Sequence, residues 1–136
     1  METAKFKAGT VRGVIIEKQK ILLVIEKHEG NWETPGGRIN EGETVINDAL
    51  KREILEETGY ESEVLELLDF NIKQFPNKDM LFNALYRCKL TKKIAEPEGG
   101  TDMKWFSKSK IKKILEEDKF DDHDKKVFEM FIKGKL

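Results

Sequence analysis

Glu53, Glu56 and Glu57 fall within one helical turn of each other, shortly after a segment holding Gly36, Gly37 and Gly42. Residues three and four apart on a helix are neighbours, and like charges at that spacing repel. Such a trio needs open water or a cation. The apolar residues around it help to choose. Ile46, Leu50 and Ile54 recur every fourth position, with Ala49 beside them, and predict the inward stripe of an amphipathic helix. Glu53 lies three after Leu50 and Glu57 three after Ile54, so both carboxylates extend that stripe. Asp48, Lys51, Arg52, Leu55 and Thr58 take the outward positions. An inward carboxylate is costly unless it is paired, protonated or bound to metal. Hard oxygen donors of this kind suit Mg²⁺ or Mn²⁺. Taken alone, a Glu-x-x-Glu-Glu run is more often a solvated helix face, as Glu116-Glu117 is expected to be. The frame around the trio shifts the balance.

That frame resembles the signature of the Nudix hydrolases, Gly-x5-Glu-x7-Arg-Glu-U-x-Glu-Glu-x-Gly-U with U a bulky aliphatic residue. Gly37 and Glu43 match its first half. Arg52, Glu53, Ile54, Leu55, Glu56, Glu57, Thr58 and Gly59 match its second half, with Tyr60 in the last aliphatic place. The lead-in Trp32-Glu33-Thr34-Pro35-Gly36-Gly37 is also similar to the family's approach to the motif. One departure stands out: Thr44 to Lys51 makes eight residues between Glu43 and Arg52, where the pattern has seven. The extra residue must lie before Ala49, either enlarging the turn at Thr44 to Ile46 or shifting the helix start, with Thr44 or Asn47 as N-cap. The position of Glu43 relative to the helix is what it puts in question.

The resemblance implies an α/β/α sandwich with a mixed sheet, a loop–helix–loop signature, and hydrolysis of nucleoside diphosphates linked to another group. It implies Mg²⁺ or Mn²⁺ held by Glu53, Glu56, Glu57 and the Gly37 carbonyl, with Arg52 orienting carboxylates, at the right helical spacing to pair with Glu56. Gly36 and Gly37 are then expected to let backbone approach the substrate. A general base from a later loop is expected among Glu96, Glu98 and Asp102, with Glu98 first. Trp32, Phe70, Phe75 and Phe82 are each able to stack on a base, with core packing the first expectation for each. Trp32 is the first choice for substrate contact. The substrate expectation is a nucleoside triphosphate, oxidised forms included. ADP-ribose stands second on the strength of Pro76, which turn chemistry in Pro76-Asn77-Lys78-Asp79 explains equally well. A nucleotide-binding module without turnover is the third reading, motivated by the extra residue near Glu43.

The chain must build one domain around these residues. Its 136 residues suffice for a single core. The 25 basic and 26 acidic residues nearly cancel, so no one-signed field argues for duplex nucleic acid or an anionic membrane. Lys104, Lys108, Lys110, Lys112 and Lys113 read as a solvated face. The single cysteine, Cys88, excludes an intrachain disulfide, is expected to be buried and inert, and fits a reducing compartment. Ile21 to Ile25, the longest apolar run, is too short to span a bilayer. The polar start METAKFKAGT does not resemble a secretion signal, so a cytoplasmic protein is expected, as monomer or homodimer. His28 and His123 are too far apart in sequence for ligand spacing and read as surface or loop histidines. Strands are predicted at Val11 to Ile16 and Ile21 to Ile25 around a turn at Lys18-Gln19-Lys20, then at Glu63 to Gln74 and Met80 to Leu90. Trp105-Phe106 ends a short strand. Helices are predicted at Ile46 to Thr58, stopped by Gly59, from a Ser107 or Ser109 cap through Glu117, and at Asp122 to Lys133. Together these make a mixed α/β fold.

Overall fold

The computed structural model describes residues 6–136, and residues 1–5 of the polar start lie outside it. Two four-stranded sheets form the middle of the molecule. In the first, β1 (Phe6–Val14) runs parallel to β7 (Met80–Lys93) and antiparallel to the short β5 (Gly36–Arg38). The edge strand β6 (Tyr60–Gln74) pairs antiparallel with β7, giving the order β5-β1-β7-β6. In the second, β3 (Lys20–Glu26) pairs antiparallel with β2 (Ile16–Glu17), β4 (Glu29–Glu33) and β8 (Thr101–Phe106). Three helices complete the fold: α1 (Ile46–Thr58), α2 (Lys108–Glu116) and α3 (Lys125–Ile132). This is a mixed α+β architecture, as the sequence predicts.

Alternation along the strands assigns the two faces. Val11, Ile15 and Leu22 join Ala49, Leu50 and Ile54 of α1 in one core cluster, with Ala84 and Cys88. Val14, Ile21 and Leu23 join Phe106, Ile111 of α2, and Val127, Phe128 and Phe131 of α3 in the other. Consecutive residues of β3 therefore feed opposite cores, and Ile21 to Ile25 is one unbroken buried run. Each such side chain contributes about 1.5–3 kcal/mol on burial. Helix α1 is thus fixed against the sheets by its apolar stripe, and the carboxylates on the same stripe are fixed with it.

Several boundaries differ from the sequence reading. The run at Val11 to Ile16 is broken at Ile15, whose carbonyl accepts a hydrogen bond from Leu22 N–H at 2.9 Å. Lys18 and Gln19 adopt left-handed φ of 49° and 65°, a mirror-image turn that suits the strand twist of a tight hairpin. Strands β4 and β5 form where the sequence predicts no strand. A second hairpin turn at Lys27 and His28 (φ 52° and 55°) folds β4 back onto β3. The predicted last helix is a 3₁₀ turn at Asp122–Asp124 followed by α3. Thr58, placed outward from its spacing, is fully buried. Its hydroxyl donates to Ile54 O at 2.6 Å and accepts from Tyr60 N–H at 3.1 Å, tying off the helix end.

Neither Thr44 nor Asn47 caps α1. Val45 stands at the N-cap with no side-chain hydrogen bond, and its side chain is 52% exposed. The extra residue explains this. Asn40 to Glu43 closes its own turn, with Glu43 N–H bonded to Asn40 O at 3.0 Å and Asn40 N–H bonded to Glu43 Oε1 at 2.6 Å. Thr44 and Val45 then bridge that turn to the helix, and the added length bulges into solvent. At α2 the expectation holds for Ser107, whose hydroxyl accepts from Lys110 N–H.

Candidate active site

Glycines 36 and 37 and helix α1 meet because β5 lies beside β1. Arg12 pairs with Gly36 and Val11 with Gly37. Gly36 has φ +152°, and a Cβ there would collide with the Val11 carbonyl and Arg12 Cα, so only glycine fits this close strand pairing. Gly37 faces the opposite way. A Cβ on it would come within 2.8–2.9 Å of the Glu53 carboxylate. The glycine pair therefore makes room for a buried acid and leaves backbone beside it.

Glu57 is the deepest of the three acids. Its Oε1 accepts Gly36 N–H at 2.8 Å. Burial pushes its pKa up to about 8, with repulsion from Glu53 and Glu33 adding to it and the Gly36 bond and Arg12 opposing it. Glu53, whose side chain is 14% exposed, is also shifted upward, by burial first. The charge and hydrogen bond of Arg52, with the more distant Arg12 charge, work against that shift, while repulsion from Glu56 adds to it. Glu56 is more open, at 37%. Positive charge beside these two raised acids would let each release its proton more readily. Carboxylate oxygens beside a glycine backbone are the donor type that suits Mg²⁺ or Mn²⁺, although the Glu53, Glu56 and Glu57 oxygens do not all lie within 4.8 Å of one another.

Arg52 does more than pair with Glu56. Its Nε and Nη2 fork onto Glu43 at 2.9 Å each, and its Nη1 reaches Glu53 at 3.0 Å and Glu56 at 3.2 Å. Nη2 also donates to Arg38 O at 3.2 Å. The fork holds the Glu43 carboxyl well below its ordinary range. Glu43 thus faces the helix despite the inserted residue.

A cleft of ≈ 370 Å³ gathers Gly36, Gly37, Glu53, Glu56, Glu57 and Glu98, together with Glu26 and Glu33. Glu98 arrives because the loop after β7 is tied to the end of α1. Glu98 N–H donates to Glu56 O at 2.7 Å, and the Ile94 and Ala95 N–H groups donate to Gly59 O. Of the other loop acids, Glu96 pairs with Lys93 at 3.1 Å and Asp102 with His28 at 3.0 Å. Neither lines the cleft. Trp32 does not line it either. Its ring packs 5.3 Å from Phe106 in the second core cluster.

Glu26, Glu33, Arg12 and His123 are not among the site residues that the sequence predicts. Among the described residues, Glu33, His123 and Asp124 offer donor atoms within 4.8 Å of one another. The group is already neutralised from within. Both oxygens of fully buried Asp124 accept from Thr34, at 3.1 Å from N–H and 2.6 Å from the hydroxyl. His123 Nε2 lies 3.4 Å from both Asp124 and Glu33. Burial would lower its pKa, yet the ion-pair contacts with Asp124 and Glu33 win and raise it to about 9. A protonated imidazole is a cation, not a ligand. His123 is therefore a half-buried ion-pair member, where a surface or loop histidine was expected. Arg12 and His123 also line a larger cavity of ≈ 620 Å³ floored by Thr10, Asn71 and Asn83.

The family assignment rests on this fold and on a NUDIX domain description that matches residues 7–131. The chain belongs to the Nudix hydrolase family. An 8-oxo-dGTP diphosphatase of Proteus vulgaris is 29% identical over 100 residues, 70% of this chain and 88% of that one. The oxidized purine nucleoside triphosphate hydrolase of Mus musculus is 40% identical over 55 residues, 38% of this chain and 35% of that one. Coverage of several curated relatives is short, at 31%, 15% and 27% of their lengths in three cases. Among solved structures, a NUDIX hydrolase from Nitrosomonas europaea matches with TM-score 0.75 and 24% identity, over 94% of this chain and 90% of that one. A UDP-X diphosphatase matches with TM-score 0.71 and 24% identity, over 100% of this Nudix chain and 66% of that one. These likenesses carry the fold.

Proposed function

We propose that this Nudix domain hydrolyses a pyrophosphate bond in a nucleoside diphosphate linked to a further group, using Mg²⁺ or Mn²⁺. The observation that carries the reading is the inward pair Glu53 and Glu57, both shifted toward the protonated form beside Gly36 and Gly37. Glu53, Glu56, Glu57 and the Gly37 carbonyl would hold the ion. When bound, it supplies positive charge to phosphate oxygens and makes nearby water more acidic.

The chain's own groups do the rest. Gly36 N–H and the Arg52 guanidinium fix the carboxylates before substrate arrives, so little reorganisation is needed during reaction. Glu98, exposed at the rim, accepts the proton of the attacking water at its carboxylate. The new P–O bond forms as the bridging P–O bond breaks, and the electron pair leaves with the departing phosphate. The larger cavity, with Arg12, Arg38, Lys73 and Lys126 around a polar floor, receives the rest of the nucleotide. A nucleoside triphosphate, oxidised forms included, is the first substrate class, in line with the printed names of the Proteus and mouse relatives. Pro76 lies in the β6–β7 turn, closed by Lys78 N–H on Phe75 O, so the ADP-ribose clue has a local explanation. The motive for a module without turnover weakens as well, because Glu43 keeps its contact with Arg52. The buried, lone Cys88, its thiol pushed up to about 12 by burial, suits a cytoplasmic setting.

A panel of nucleotides with Mg²⁺ or Mn²⁺, read by phosphate and pyrophosphate release, tests the reading and names the substrate. Glu53→Gln and Glu57→Gln should each lower kcat on the order of a hundredfold or more, while Glu116→Gln leaves it unchanged. Binding of nucleotides with no turnover of any would overturn the proposal.

A further inference from the structure

Among the described residues, strand β6 is an edge of its sheet, and its second half carries few of the devices that usually stop such an edge from pairing. Natural edges are interrupted by bulges, shortened or heavily charged. In β6 every register shift falls between Glu61 and Asp69, whereas Asp69 to Gln74 pairs with Leu85 to Met80 without interruption. This regular half exposes large apolar side chains on one face. Phe70 is 50% and Ile72 52% exposed, with Phe70 stacked 5.7 Å from Phe82. By strand alternation the opposite face carries Asp69, Asn71 and Lys73, all of which line the larger cavity.

We propose that a second copy of this chain pairs with β6, antiparallel about Asn71, so that two four-stranded sheets become one continuous sheet. Two-fold symmetry at Asn71 sets Asp69 opposite the partner's Lys73, and Phe70 opposite the partner's Ile72. Each pair shares a face, as directly opposed residues must. Moving the centre by one residue destroys the match. A centre at Phe70 sets Asp69 against Asn71, and a centre at Ile72 sets Lys73 against Asn71 and Phe70 against Gln74. The charge pair has room to form. Lys73 lies over the Phe75 ring, 5.7 Å from its centroid, and among the described residues no carboxylate is paired with it. Asp69 Oδ1 takes the Lys126 ammonium at 3.1 Å, and its Oδ2 accepts the Asn71 amide at 3.3 Å. The pairing also brings the partner's Lys73 to the rim of the cavity, so each copy adds a cation to the other's site.

Sedimentation at about 100 µM chain should show a dimer for the unaltered protein. Lys73→Glu sets carboxylate against carboxylate, and Asp69→Lys sets ammonium against ammonium. Each variant alone should therefore lose at least about tenfold in dimer affinity. An equimolar mixture of the two variants should recover the dimer, because both cross-strand pairs are then of opposite charge. Recovery also shows that both variants are folded. A monomeric unaltered protein, single variants that remain dimeric, or a mixture that stays monomeric would each overturn the proposal.

Discussion

Glu57 illustrates how one buried group couples stability to function. Its pKa is raised from 4.5 to about 8, so the folded metal-free protein holds a proton that the unfolded chain has released. The sign follows: Glu57 costs nothing below pH 4.5, and its cost grows as pH rises to about 8 and is constant above. Metal-free Glu57→Gln should therefore be more stable than the unaltered protein at pH 8, by on the order of a few kcal/mol. Mg²⁺ should raise the Tm of the unaltered protein and leave that of Glu57→Gln nearly unmoved, since only a state that binds the ion is stabilised by it. Equal Mg²⁺ shifts in thermal melts of both proteins would remove Glu57 from the ion's shell. Gly37→Ala tests the neighbouring contact. The three atoms nearest its Cβ all belong to the flexible end of Glu53, so the fold should survive while the acid is displaced. Turnover should fall at least about tenfold with Tm changed little, checked by kinetics beside a melt of the same sample.

At the scale of elements, Gly59 joins two parts of the site, the end of α1 and the loop that carries Glu98. It ends α1 in the left-handed region at φ 78°, where its N–H donates to Leu55 O. Its carbonyl receives Ile94 and Ala95 N–H groups, which fixes the loop carrying Glu98. A Cβ there would strike the Ala95 carbonyl. Gly59→Ala should thus cost about 1–2 kcal/mol from the left-handed backbone alone, and more from the collision. It should also free the Glu98 loop. Denaturant unfolding measures the first effect, and amide exchange at Ile94, Ala95 and Glu98 measures the second. Unchanged exchange at those amides would show that the loop is held by something other than the helix end.

Across the whole molecule, Glu33 connects the two cavities. It lines the acidic cleft while its carboxylate contacts Arg12 at 3.8 Å and His123 at 3.4 Å, both of which line the larger cavity. The C-terminal segment is clamped to the approach of the glycine loop through His123, Asp124 and Thr34. His123 has its pKa raised from 6.5 to about 9, so its stabilising charge is fully present below pH 6.5 and lost as pH rises through about 9. Replacing it, as His123→Gln, should lower stability at pH 6 and flatten the decline between pH 6.5 and 9. Denaturant midpoints across that window provide the check. A decline of the same steepness in the variant would assign it to other groups.

Local periodicity was enough to place α1, its buried stripe and the inward aim of Glu53 and Glu57, because a helix repeats every 3.6 residues whatever surrounds it. Turn chemistry likewise placed the Lys18-Gln19 hairpin, and the spacing of Gly37, Glu43 and Arg52 to Gly59 pointed to the family. The cap at Val45 was not legible, since the inserted residue could either enlarge the turn at Thr44 to Ile46 or shift the helix start, and both choices leave the spacing from Ala49 onward unchanged. Thr58 was misplaced because a buried hydroxyl needs only a nearby carbonyl, and Ile54 O supplies one. Arg12, Glu33 and His123 are far apart in the chain and carry no mutual spacing. Their meeting depends on how the two sheets and α3 pack, and long-range contact of that kind leaves no periodic trace in the order of residues. The sequence by itself determined the chemistry of the helix. Only the tertiary structure decided which distant charges share its cleft.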